Sequence, residues 1–151
     1  MVRLSFETPI PCTPEELWEF HASAEALTVL KPTDARVSFL DGPEALKVSE
    51  GALHRIKVLR FGLLPIVWHA RIVDVHPPSR FTDIAEKSPF KSWKHQHEFL
   101  PHESGSLLRD TVEFELPLGI LGGVAARLFV APDVRRMFAH RHKATVDHFN
   151  R

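Results

Sequence analysis

Between residues 35 and 117 the chain reads as six consecutive segments in which apolar and polar side chains alternate: ARVSFL, GALHRIKVLRF, PIVWHARIVDV, SRFTDIAEK, SWKHQHEFL and LLRDTVEFELP. Asp-Gly, Gly-Leu-Leu-Pro, Pro-Pro, Ser-Pro and Glu-Ser-Gly turn signals separate them. Alternation at period two marks half-buried strands, and short connections join antiparallel neighbours, because a parallel pair needs a long crossover. The run predicts an antiparallel meander with one apolar face, and that face must be covered by something.

The flanking segments supply the cover. VRLSFE, residues 2–7, alternates with Val2, Leu4 and Phe6 on one side and predicts a first strand. TPEELWEF follows, with Thr13 as cap, Pro14 at the first helical position and Glu16 completing a capping box. Leu17, Phe20, Leu27 and Leu30 give apolar spacing, Ser23 can restart a second short helix, and Pro32 stops it. Past the meander, LGILGGVAARLFVAP leads into DVRRMFAHRHKATVDHFNR, where Val134, Met137, Phe138, Arg141, Thr145, His148 and Phe149 recur near a helical period. This predicts a long C-terminal helix, bent or restarted at Pro132. For LGILGGVAARLF, packing in the core is expected ahead of a hinge, a lid or a membrane-docking patch. The expected fold class is α+β: a seven-stranded curved antiparallel sheet wrapped around the long C-terminal helix, with two short helices after strand one. A curved sheet cannot lie flush along a straight helix, so an apolar cavity between them is expected.

Composition narrows the function classes. A length of 151 residues suits one domain, 1–151. Nineteen basic and nineteen acidic residues balance, which argues against a nucleic-acid partner. The single cysteine, Cys12, forms no internal disulfide and fits a reducing, cytoplasmic setting. Neither a signal-type segment nor an apolar run near ~20 residues is present, so stable membrane insertion is not expected. Oligomeric state is open, a homodimer included.

Two segments, SPFKSWKHQHEF and LLRDTVEFELPLGILGGVAARLFVAPDVRRMFAHRH, together with the element order, resemble the START/birch-pollen-allergen superfamily, also called SRPBCC or helix-grip proteins. Within it the chain is similar to a bacterial branch of ligand-binding and polyketide cyclase-like members. The resemblance implies a cavity for a hydrophobic molecule and leaves the chemistry open, since members include carriers, receptors and cyclase/dehydratases.

SWKHQHEFL places Trp93, His95, His97 and Phe99 on the inward face of one strand, and the next strand adds Asp110, Val112 and Phe114. A hairpin across PHESGS puts His95 and His97 near Asp110, while Arg141 on the helix stripe is expected to cover the same wall. Trp68, Met137 and Phe138 complete the expected ligand contacts. Asp110 with Arg141 reads either as a structural ion pair or as part of a site. The histidines read as cavity-lining donors and acceptors, as satisfied core rings, or as general acid/base candidates together with Asp110 and Arg141. His-x-His also presents two imidazoles in one direction, and an Asp could add a third ligand, but neither a metal nor a cofactor is expected. The leading expectation is binding of a small or medium hydrophobic ligand, lipid-, isoprenoid- or polyketide-like. A cyclase or dehydratase using the same wall, and a stress-related interaction domain with a collapsed cavity, stand as alternatives.

Overall fold

The computed structural model describes residues 1–33, 35–42, 46–60 and 64–151. Strand β1 (Val2–Ile10) leads into helices α1 (Pro14–His21) and α2 (Ala24–Leu30). Strands β2 (Ala35–Phe39), β3 (Leu53–Arg60), β4 (Leu64–His76), β5 (Arg80–Lys87), β6 (Ser92–His102) and β7 (Gly105–Glu115) follow, then α3 (Gly119–Ala125), a π-helical turn (Ala126–Val130) and α4 (Ala131–Phe149). The expected end of the third strand at Phe61, and its turn through Gly62 and Leu63, lie outside the described residues.

All seven strands form one antiparallel sheet in the order β1-β7-β6-β5-β4-β3-β2. The α+β, helix-grip architecture expected from the sequence is therefore what the chain adopts. Register shifts between β4 and β5 at His69/Ala70 and Val73/His76 bend the sheet, as bulges do. β1 runs three residues further than VRLSFE because Thr8 and Ile10 continue the inward alternation, and Ile10 is fully buried. The capping box at α1 forms as expected: the Glu16 amide donates to Thr13 Oγ1, and the Thr13 amide donates to the Glu16 carboxylate.

The C-terminal helical run is continuous across Pro132. Proline cannot donate to the carbonyl four residues back, and its ring crowds that carbonyl. The helix answers by widening: the Ala131 amide reaches back to the Ala126 carbonyl, five residues away. The run thus passes Pro132 through a π turn and does not restart there.

The start of this run corrects a second expectation. Leu118 and Gly119 take left-handed backbone angles (φ 77° and 56°), which fold the chain sharply back from β7. Gly122 then lies so close to that turn that a Cβ would stand 1.8 Å from the Pro117 carbonyl oxygen. Held this way, the segment from Leu118 through α3 and the π turn faces solvent with apolar side chains: Ile120 is 88% and Phe129 73% exposed, and Leu118, Leu121, Val124 and Leu128 are exposed too. Within LGILGGVAARLF, Gly122 and Ala126 are buried as expected, but the large apolar side chains lie on the surface and not in the core.

Between sheet and helix the core divides. One cluster joins Leu4, Trp93, Val112, Phe114, Ala126, Ala131, Val134 and Phe138, and a second joins Ile10, Leu17, Trp18, Ile72, Phe81, Phe99 and Leu108. A band of polar side chains lies among these apolar residues. Among the described residues, no helix is long and apolar enough to cross a membrane.

Candidate functional site

The band is fixed by strand register. β5 pairs with β6 so that Asp83 faces His95 and Phe81 faces His97, and β6 pairs with β7 so that His97 faces Asp110. Because side chains alternate, Asp83, His95, His97 and Asp110 all point inward and form a square across three strands. The short bonds run along its diagonals. His95 Nε2 donates to Asp110 Oδ1 at 2.6 Å, and His97 Nε2 donates to Asp83 Oδ2 at 2.8 Å. Along the edges, His95 Nδ1 stands 3.4 Å from Asp83 Oδ2 and His97 Nδ1 3.4 Å from Asp110 Oδ1. The two imidazoles overlap with ring centres 3.7 Å apart.

The helix closes the square from above. His142 of α4 donates from Nε2 to Asp110 Oδ2 at 2.8 Å, and its Nδ1 accepts from the Thr8 hydroxyl on β1 at 2.8 Å. Asp110 therefore holds one strand histidine and one helix histidine. The expected Asp110–Arg141 pair does not form. Arg141 stands one residue, about 100°, before His142 on the helix and about 60° round from Phe138, and so lies beside the inward stripe that Phe138 and His142 share at i and i+4. Its guanidinium lies over the Phe138 ring at 5.5 Å and is half-buried.

Sealing this many ionisable groups perturbs them. Burial alone would push His95 down, but the facing carboxylates of Asp110 and Asp83 overcome it and push the ring up to about 9. Burial, followed by the charge on His95, pushes His97 down. Burial would raise Asp110 and Asp83, yet His95 and the histidine hydrogen bonds hold both carboxyls well below the ordinary range. On α1, burial pushes His21 down while its Nδ1 donates to the Leu17 carbonyl at 3.0 Å.

These directions set a pH optimum for the metal-free protein. His95, raised in the fold, contributes stability that is complete below its ordinary value of ~6.5 and disappears as pH rises through about 9. His97 and His21, lowered in the fold, contribute above ~6.5 and progressively less below it. The carboxylates lose their contribution at still lower pH. Urea unfolding with a chelator present is expected to give a maximum near pH 6.5 and to lose about 3 kcal/mol by pH 9.5. A His95→Gln variant should lack that alkaline limb; a wild-type profile flat to pH 9.5 would contradict the assignment.

The remaining residues expected at the site are packed against one another. Trp93 meets Trp68 edge-on at 5.3 Å and stacks on Phe114 at 5.8 Å, and Phe99 packs against Trp18 and Phe81. Val112 and Phe138 are buried, and Met137 packs against the same cluster as Phe138. A cavity of about 270 Å³ opens elsewhere, at the end of the sheet beneath α3, lined by Val2, Phe114, Leu116, Ile120, Ala126 and Arg127 among others. Of the expected ligand contacts, Phe114 borders it.

Sequence reasoning passed over Asp83, His142 and Thr8. Each had a signal: Asp83 alternates with Phe81 and Ala85, Thr8 extends the Val2, Leu4, Phe6 alternation, and His142 is four residues after Phe138.

A family model described as a domain of unknown function, DUF8410, matches residues 9–149. No curated protein matches the sequence. Among solved structures, protein CV1439 from Chromobacterium violaceum superposes with TM-score 0.79 at 13% identity, covering 100% of this chain and 99% of that one. A START superfamily protein from Mycobacterium smegmatis gives 0.67 at 13% identity over 98% and 97% of the two chains. Ara h 8.0201 gives 0.69 at 12% identity over 98% and 97%. The START/birch-pollen-allergen-like fold expected from the sequence is the fold of this chain.

Proposed function

We propose that this chain, which belongs to the DUF8410 family, binds a small hydrophobic molecule at the open end of the sheet, between β7, β1 and the start of the C-terminal helical run. The observation that carries this reading is the cavity beneath α3, whose lining is mixed and only slightly more apolar than polar. Val2, Phe114, Leu116 and Ala126 supply apolar walls, and Glu115 and Arg127 stand where a ligand's polar end would emerge. Its volume, about 270 Å³, falls just below the ~300–1,000 Å³ of ligand pockets and so suits a small ligand. The exposed apolar face of α3 adjoins the mouth and gives a lipid-, isoprenoid- or polyketide-like molecule a surface to cross on entry. Likeness to the START superfamily protein and to Ara h 8.0201 supports the same direction at the level of fold. In this reading the protein works in the cytoplasm and its ligand is its principal partner.

Catalysis by the His95/His97/Asp110 wall is the weaker reading. Asp110 and Phe114 are four residues apart on β7, ~13 Å along the strand, so a ligand in the cavity would not reach the imidazoles.

Gly123 provides the test. It lines the cavity, and a Cβ there would meet nothing within 4 Å. Gly123→Leu should fill the cavity and favour the helix at once. Wild type is expected to bind the apolar fluorophore anilinonaphthalene sulfonate at one site, and Gly123→Leu to weaken that binding roughly tenfold or more with its melting temperature unchanged or raised, since every 1.4 kcal/mol is tenfold. Equal binding by both proteins would place the ligand elsewhere.

A further inference from the structure

The square of Asp83, His95, His97 and Asp110 has an asymmetry that hydrogen bonding within the protein does not resolve. His97 is 5% exposed, and its Nδ1 has no hydrogen-bond partner, although Asp110 Oδ1 is 3.4 Å away. If Nε2 carries the proton given to Asp83, Nδ1 presents a lone pair toward a carboxylate. A buried polar atom left in that position is destabilising, because it has given up water without gaining a partner.

A cation on the Asp83 side removes the conflict. One nitrogen or oxygen from each of Asp83, His95 and His97 lies within 4.8 Å of the other two. Asp83 Oδ2 is the shared point, with His97 Nε2 at 2.8 Å and His95 Nδ1 at 3.4 Å. Donor atoms ~2.0–2.1 Å from a tetrahedral ion stand ~3.3 Å apart, so the side chains are already near ligating separations. With an ion held by those atoms, His97 Nδ1 would carry the proton and donate to Asp110. His95 Nε2 already donates to Asp110 at 2.6 Å, and His142 braces the other carboxylate oxygen. Asp110 would then orient both ligating imidazoles, the arrangement in which a carboxylate behind a histidine fixes its tautomer and its aim. The Asp83 side chain, 15% exposed, marks the side by which an ion would enter.

We infer that Asp83, His95 and His97 form a binding site for one divalent transition-metal ion, with Asp110 and His142 as its supporting shell. Two imidazoles and one carboxylate suit Zn²⁺, and the three ligands leave a fourth position for water. Mg²⁺ and Ca²⁺ prefer shells of six or more oxygens and fit poorly. This reverses the expectation of no metal drawn from the His-x-His spacing, and it is independent of the cavity beneath α3.

The test strips the full chain with a chelator and titrates it with Zn²⁺, Co²⁺ and Mg²⁺. Zn²⁺ should bind one per chain and raise the melting temperature, whereas Mg²⁺ should do neither. Asp83→Asn keeps the side chain's shape and should weaken Zn²⁺ by more than the ~10–100-fold that losing a supporting partner costs. Wild-type protein with Co²⁺ should show the visible absorption of a four-coordinate ion. It should also show two solvent-protected, paramagnetically shifted imidazole N–H signals, from His95 Nε2 and His97 Nδ1. The site is overturned if wild type takes up no Zn²⁺, or if Asp83→Asn binds as wild type does, which would place the ion on a surface histidine. Should Asp83→Asn fail to fold, absence of the two shifted signals from the wild-type Co²⁺ protein overturns it equally.

Discussion

Asp110→Ala is expected to cost about 3–5 kcal/mol, the loss seen when one partner of a buried charged pair is removed. The carboxylate is 4% exposed and accepts from His95 and His142 with separate oxygens. Truncation strands two donors: His95, whose charge would retain Asp83 alone, and the His142 Nε2–H, which would face a void. Urea unfolding near pH 7 measures the cost. Asp110→Asn, which keeps one acceptor and turns a donor toward the other imidazole, should fall between wild type and alanine. In a double-mutant cycle with His142→Ala, a coupling of about 1 kcal/mol or more is expected, because the two side chains act as one unit. A loss below about 1 kcal/mol for Asp110→Ala would mean that water enters and takes over the carboxylate's role.

Phe138→Ala should be comparably damaging for a different reason. Phe138 is a fully buried α4 side chain in the core cluster between helix and sheet. Its ring stacks on Phe6 at 4.9 Å and 8°, meets His95 edge-on at 4.9 Å, and lies beneath the Arg141 guanidinium. Removing it opens a cavity between two elements that cannot close together without moving the His142–Asp110 bond, so the usual ~3–5 kcal/mol for a buried Phe→Ala change applies. Phe129→Ala is the control. Phe129 is nine residues earlier on the same helical run but exposed, and its truncation is expected to change stability by less than about 0.5 kcal/mol. If both variants lost stability equally, α3 and the π turn would be packed against something.

How much of this was legible beforehand depended on whether a residue's pattern carried a phase. The strands did: Trp93, His95, His97 and Phe99 alternate with charged and polar neighbours, so their inward face followed from period two, and the β6–β7 hairpin brought Asp110 opposite His97. The histidines' partners were harder. Asp83 has the same inward phase as Phe81, but a lone acidic residue in a strand reads as surface until a histidine is known to face it. On the helix, Arg141 and His142 differ by about 100°, and an apolar stripe that admits Met137 as well as Phe138 is too broad to choose between them. In LGILGGVAARLF almost every residue is apolar, so no polar face marks the outside. Its exposure is decided by the contact between Gly122 and Pro117, which no periodicity expresses.

The pairing of β1 with β7 bears on how the chain reaches this state. Partners across that ladder, such as Ile10 and Ser106, are 96 residues apart, whereas most of the rest of the sheet is built from hairpins between successive strands. Local hairpins can form and dissolve without waiting for distant chain, but the β1 ladder must first meet the entropy of closing a very large loop, and that cost precedes any return from contacts. The bond from His142 to Thr8 spans a still longer separation and depends on the same closure. The rate at which the protein becomes native should therefore be governed by the arrival of its first strand at its seventh, and until then the edge of β7 stands open to pairing with another chain.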